Sequence, residues 1–155
     1  MPGPPVHHIG VMHLDHSGME ILDDGECRAL LGRSTVGRIV FTLQALPTVQ
    51  PVNFVFDGEL IVVKTSSASR LATAASDTIV AFEIDEIDAD GGRGWSVVTV
   101  GPARRVTEPG EIARLSALPL RSWAPGEHDQ FIVVRPRLIT GRRIPEAVPL
   151  RAPRS

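Results

Sequence analysis

Residues 46–65 read LPTVQPVNFVFDGELIVVKT, two apolar runs of β-branched and aromatic residues separated by Asp57-Gly58. The FDG tripeptide at 56–58 closes a hairpin, which makes the pair antiparallel neighbours rather than halves of a strand–helix–strand unit. Alternation along the second run sets Lys64 and Ser66 on one face, Val63 and Thr65 on the other. Pro51 interrupts the first run. It has no amide to give to a ladder, so this strand is expected to keep one edge open, where a flat ligand could bond to the backbone.

On either side of this hairpin the chain continues in the same manner. VGRIVFT (36–42), TIVAFEIDEID (78–88), GWSVVTVGPARRV (94–106) and DQFIVVRPRLITGRRI (129–144) read as further strands. In the third of these, Trp95, Val97 and Thr99 share one face and Ser96, Val98 and Val100 the other. Pro136 predicts a bulge, bend or edge in the closing strand. Short amphipathic helices are expected at ILDDGECRALLGRS (21–34), SASRLATAAS (67–76) and EPGEIARLSAL (108–118), with acids in the first turn of the first and third. Six strands joined by hairpins and short helices predict a mainly β (α+β) fold, a six-stranded antiparallel barrel with short peripheral helices. Several strands are apolar on both faces, so a helix or a second subunit must cover part of the outside.

At 155 residues, 43% hydrophobic and 22% charged, the chain has the size and composition of one globular domain. Residues 1–18 read as a flexible N-terminal arm, 19–145 as the domain and 146–155 as a C-terminal tail, both ends being Pro-rich. A net charge of −2 with dispersed cations offers no footprint for nucleic acid. No apolar stretch approaches the roughly 20 residues of a membrane helix. The start lacks the basic and apolar regions of a signal peptide, and the single Cys27 suits a reducing interior, so the expected location is cytoplasmic.

The junction KTSSASR (64–70) gathers hydroxyls and two cations where a strand meets a helix. Two readings stand: a serine N-cap with solvated cations, or a phosphate held by Lys64, Thr65, Ser66, Ser69, Arg70 and the free amides of the helix start. The pattern is not a Walker loop. Gln50 and Asn53 bring amide side chains to the Pro51 strand. Trp95 and Ser96 stand at a strand entrance, and Trp123 lies in a Pro/Gly loop, suited to plug a barrel mouth or a dimer groove. Four of five histidines fall in the arm, with no ligand spacing for a metal. The acids of EIDEIDADG (83–91) read as a solvated strand end, the C-terminal arginines of RPRL and GRRI as surface charge or a basic wall. No nucleophile–base set is recognisable.

The order of PTVQPVNFVFDGELIVVKTSSASRLATAA, GWSVVTVGPARRV and PRLITGRRI resembles the pyridoxamine 5′-phosphate oxidase-like, flavin-binding split-barrel superfamily over roughly residues 20–145. The resemblance implies a Greek-key split barrel that forms a homodimer, with FMN in clefts at the subunit interface. It implies ring contacts from Gln50, Pro51, Val52 and Asn53, phosphate contacts from Lys64, Thr65, Ser66, Ser69 and Arg70, and a further contact from Trp95 and Ser96. The true oxidase has a basic residue where Leu71 stands, an arginine–glutamine pair at Trp95–Ser96 and an arginine at Gln50. Fewer cations argue against oxidation of vitamin B6 phosphates and leave a deazaflavin as the alternative cofactor. The function implied is a flavin-dependent oxidoreductase with an unidentified small-molecule substrate or acceptor and NAD(P)H as candidate donor, and no catalytic side chain. The competing readings are a flavin- or haem-binding carrier or sensor, and a ligand-free structural dimer.

Overall fold

The computed structural model describes residues 13–120 and 130–145. The expectations for residues 1–12, Trp123, His128 and the tail 146–155 lie outside the described residues. In chain order the elements are β1 (Glu20–Ile21), α1 (Asp24–Arg33), β2 (Val36–Leu43), β3 (Leu46–Phe56), β4 (Ile61–Thr65), α2 (Arg70–Ala74), β5 (Thr78–Asp88), β6 (Arg93–Arg105), α3 (Pro109–Ser116), β7 (Gln130–Val134) and β8 (Leu138–Arg143).

Helix α1 starts at an Asp23 cap whose carboxylate accepts from the Glu26 amide at 2.8 Å. It ends where Ser34 donates both its amide and its hydroxyl to the Leu30 carbonyl. The β2–β3 hairpin turns in two residues, Gln44 and Ala45, both with positive φ. The β3–β4 turn is held by Asp57, which accepts from the Glu59 and Leu60 amides at 2.8 and 2.7 Å. α2 then carries the chain across the barrel end, and β5 pairs with the other edge of β2, the Greek-key step.

The barrel closes in the order β2-β3-β4-β7-β6-β5, all antiparallel, as the sequence predicts. One expectation is refined. The closing strand is two strands, broken at Arg135–Arg137 around Pro136. β7 completes the barrel against β4 and β6, while β8 continues along β6 outside it with β1 on its far edge. At the break, the Arg135 amide donates to Pro102 O at 3.0 Å and the Arg137 amide to Val100 O at 2.9 Å. Gly101 lies beneath, and a Cβ there would run into the Arg135 carbonyl.

Part of the expected arm is tied down. Asp15 accepts from the Ser17 hydroxyl and the Ser17 and Met19 amides, and Arg142 Nε bonds it at 3.0 Å. These bonds, the Ser17 hydroxyl first, hold its carboxyl down to about 2. Leu14 bridges to Glu20, so 13–18 is a turn leading into β1.

The inner core is built on Ile39, Phe41, Phe54, Phe82 and Ile84, with Phe54 and Phe82 meeting edge-on at 4.7 Å. α1 adds Cys27, Leu30 and Leu31, and α2 adds Leu71 and Ala75. Burial pushes the Cys27 thiol up from its ordinary value. A second cluster covers the outside of β4 and β7: Val62, Phe131 and Val133 pack with Leu115 of α3. A helix thus covers one outer face, as expected. The outer face of the remaining strands stays bare. There Val49, Val40, Ala81, Val100 and Leu138 stand in register across five strands, with Val49 and Leu138 59% and 57% exposed. No helix among the described residues is long and apolar enough to cross a membrane.

Candidate functional site

Strand β3 pairs with β2 along Leu46–Asn53, but with β4 only over Phe54–Phe56. The barrel is split along the remaining edge. The Phe54 amide donates to Thr35 O at 3.0 Å, which sets the phase of the ladder. Counting alternately from that bond, Val52 and Gln50 bond toward β2, while Val49 and Pro51 face away. Pro51 is therefore tolerated because its missing amide would have pointed to the open edge. The Val49 amide and the carbonyls of Val49 and Pro51 point outward there, as donors and acceptors for the edge of a flat ring.

The β4–α2 junction borders the same gap. Thr65 is buried and its hydroxyl donates to Ser69 Oγ at 2.8 Å; Ser69 Oγ also accepts from the Ala72 amide at 2.9 Å. The N-cap reading of Ser69 is thus realised. Its two lone pairs are used and its own proton is left to donate. Helix α2 is one five-residue turn beginning at Arg70, shorter than the sequence predicts and too short for a substantial dipole. Lys64 lies over the Phe131 ring, Nζ 5.6 Å from its centroid. Among the described residues neither Lys64 nor Arg70 has an ion-pair partner, which they share with Arg33, Arg93, Arg105, Arg135 and Arg137.

From the last β3–β4 pair, Phe54 with Val63, the chain runs back through Asn53–Gln50 on one side of the split and on through Lys64 to the Thr65–Arg70 junction on the other. Within the first set the roles divide. Val52 is a core side chain, able to reach a ligand only through its backbone, whereas Pro51 is exposed. Asn53 lines a cleft of about 440 Å³ floored by Val55 and Phe56, between Arg33–Thr35 and Pro119–Leu120. Trp95 and Ser96 are not brought here. They pair with β5 and β8, and two strands separate β6 from β3, roughly 14 Å at about 4.8 Å per spacing.

Two residues near the site escaped the sequence reading. Gln130 stands directly opposite Thr65 on β7, and Arg105 Nη2 donates to its side chain at 2.9 Å. Arg105 Nε is buried without a hydrogen-bond partner. The only signal for either was membership of a strand. No cluster of three metal-ligating side chains occurs among the described residues.

A closed six-stranded barrel, split beside an unpaired strand edge and a cationic, hydroxyl-rich corner, matches one family model, described as pyridoxamine 5′-phosphate oxidase, over residues 23–143. The chain belongs to the pyridoxamine 5′-phosphate oxidase family. A relative, an uncharacterised protein of Mycobacterium tuberculosis, is 39% identical over 129 residues, covering 79% of this chain and 84% of that one. Among solved structures of the family's fold, the FAD binding protein of Mycobacterium smegmatis is 34% identical with a TM-score of 0.68, over 80% of this chain and 97% of its own. A conserved protein of unknown function from Corynebacterium diphtheriae is 30% identical with a TM-score of 0.68, over 81% and 98%.

Proposed function

We propose that this chain is a flavin-dependent oxidoreductase working as a cytoplasmic homodimer. The observation that carries the reading is the juxtaposition of an unpaired β3 edge with two cations, Lys64 and Arg70, that lack carboxylate partners among the described residues. The donor set fits an FMN moiety: amide and carbonyl groups for the ring edge, and the Ser66 and Ser69 hydroxyls with Lys64 and Arg70 for the phosphate. Family membership and the flavin named for the M. smegmatis relative support it. Bound flavin would supply two-electron redox chemistry, and the protein orients it. Asn53 presents an amide where the ring would end. The cleft beside it, walled by Val55, Phe56 and Leu120, is the place for a small substrate or acceptor.

The homodimer completes the pocket in this reading. The bare apolar row of the outer face is the surface to be covered, and a second protomer's Trp95 and Ser96 would supply the ring contacts that one chain cannot bring. A deazaflavin would use the same corner.

Titration of the purified chain with riboflavin, FMN and a deazaflavin, followed by ligand fluorescence, tests the cofactor. Binding followed by reduction with NAD(P)H and rapid reoxidation by an acceptor identifies an oxidoreductase. Tight binding without turnover identifies a carrier. No binding of any of the three overturns the proposal and leaves a structural dimer.

A further inference from the structure

At the α2 end of the barrel a polar row crosses three strands behind the hydroxyl corner. Thr65 on β4 pairs with Gln130 on β7, and Arg105, the last residue of β6, pairs with Ile132. Ile132 and Val63 belong to the inner core, so alternation sets Thr65, Gln130 and Arg105 on that same inner face, at its polar end. Arg105 Nη2 donates to the Gln130 side-chain oxygen at 2.9 Å. At the other end of the row the Thr65 hydroxyl donates to Ser69 Oγ at 2.8 Å.

We propose that this row is the inner half of the anion corner. Gln130 is a further phosphate-binding residue, and Arg105 is a positioning residue that aims the Gln130 amide and adds a third positive charge. The inference rests on the flavin reading of the corner and extends it to β6 and β7.

The direction of the amide follows from donor chemistry. A guanidinium carries N–H donors and no acceptor, so the end of Gln130 that meets Arg105 is its oxygen. Its NH2 end is left for the β4 side, where Thr65 and Ser69 stand. Thr65 has already given its proton to Ser69, so Gln130 is the donor that this cross-strand pair brings to an anion.

Charge gives the row the same sign. Arg105 is half-buried and has no ion-pair partner among the described residues. Its Nε is buried with no hydrogen-bond partner. A plug that only closed the barrel end would be better made by an apolar side chain, because an unanswered buried N–H opposes folding. A guanidinium bound to a neutral amide keeps its charge uncompensated at low dielectric, where it favours an anion beside it. Counted with Lys64 and Arg70, it suits the corner to a phosphate monoester, a near-dianion at neutral pH.

The test measures dissociation constants for FMN and riboflavin by flavin fluorescence on the full chain and on two variants, Gln130→Glu and Arg105→Met. In Gln130→Glu the new carboxylate pairs with Arg105, so the thermal midpoint should hold or rise, while the same charge repels a phosphate. FMN affinity is expected to fall roughly ten-fold or more and riboflavin affinity to stay within about two-fold. Arg105→Met keeps an unbranched stem and removes the charge; it should weaken FMN in the same selective way. An unchanged FMN-to-riboflavin ratio in either folded variant would overturn the inference and leave the flavin reading standing. Equal losses for both ligands would do the same, assigning the row to the fold. A wild-type chain that binds neither flavin, or binds FMN no tighter than riboflavin, would overturn the phosphate corner and the inference with it.

Discussion

Ser69 Oγ accepts from the Ala72 amide and from the Thr65 hydroxyl, which realises the capping reading of the junction and leaves the Ser69 proton for the proposed anion. The capping role uses lone pairs, the anion role uses the proton, and neither excludes the other. Arg70 has no such second duty. Replacing it with alanine removes one charge-assisted bond, worth about 1.5–3 kcal/mol. FMN affinity is expected to fall roughly ten- to hundred-fold while riboflavin, without a phosphate, is little affected; equal losses in parallel titrations would assign Arg70 to the fold instead. Gly101 makes a different demand. Any Cβ meets the Arg135 carbonyl, a backbone atom that cannot rotate away. Gly101→Ala should destabilise by about 1–3 kcal/mol, read as a lowered urea midpoint with unchanged slope. The closeness of Lys64, Ser66 and Arg70 was legible because a strand–helix junction places consecutive residues together whatever the rest of the chain does. Gln130 and Arg105 were not, because β7 reaches Thr65 from 65 residues away, and no local pattern announces that pairing.

The β2–β3 hairpin turns on Gln44 and Ala45 at φ 51° and 62°, a conformation that suits asparagine and glycine. Left-handed backbone costs an L-residue roughly 1–2 kcal/mol. Replacing the pair by Asn-Gly should therefore raise stability by about 1–2 kcal/mol, and the midpoint by several degrees for a chain of this size; a calorimetric scan showing no rise would mean the tip is held by something other than its own dihedrals. The two prolines illustrate how far an element can be read from its sequence. Pro51 announced an open edge, and the ladder phase shows why: its nitrogen faces the split. Pro136 announced an interruption, but whether it meant a bulge or two strands depended on β6, which is long enough to pair with both pieces in turn.

The bare outer face carries an ion-paired cluster beside its apolar rows. Arg38 Nη1 lies 2.6 Å from Asp85 and 3.2 Å from Glu83, with Arg38 between Val36 and Val40 on its own strand and Glu83 between Arg38 and Val98 of β6. Burial first, then the bond and charge of Asp85, push the Glu83 carboxyl up to about 7, against the pull of Arg38. Between the ordinary 4.5 and about 7 the folded chain keeps a proton that the unfolded chain has released. Stability from this group is therefore full below that window and is lost as pH rises through it. Urea midpoints from pH 4 to 8 should show this decline in the wild type and a flatter profile in Glu83→Gln; identical profiles would refute it. If a second protomer covers this face, Val100→Asp places an unpaired charge beside Ala81 and Leu138 and should yield a monomer that has lost flavin affinity. Sedimentation showing an intact dimer would move the interface elsewhere.

Alternation, turn residues and two prolines determined the strands, the barrel and the hydroxyl-rich junction after β4, because each is written in residues close together along the chain. Tertiary structure decided the rest: the length over which β3 stays unpaired, the pairing of Gln130 with Thr65, and the distance of Trp95 and Ser96 from β3. Those depend on strand register between remote segments, and register is set by closure of the whole barrel, where all side chains must fit one interior at once.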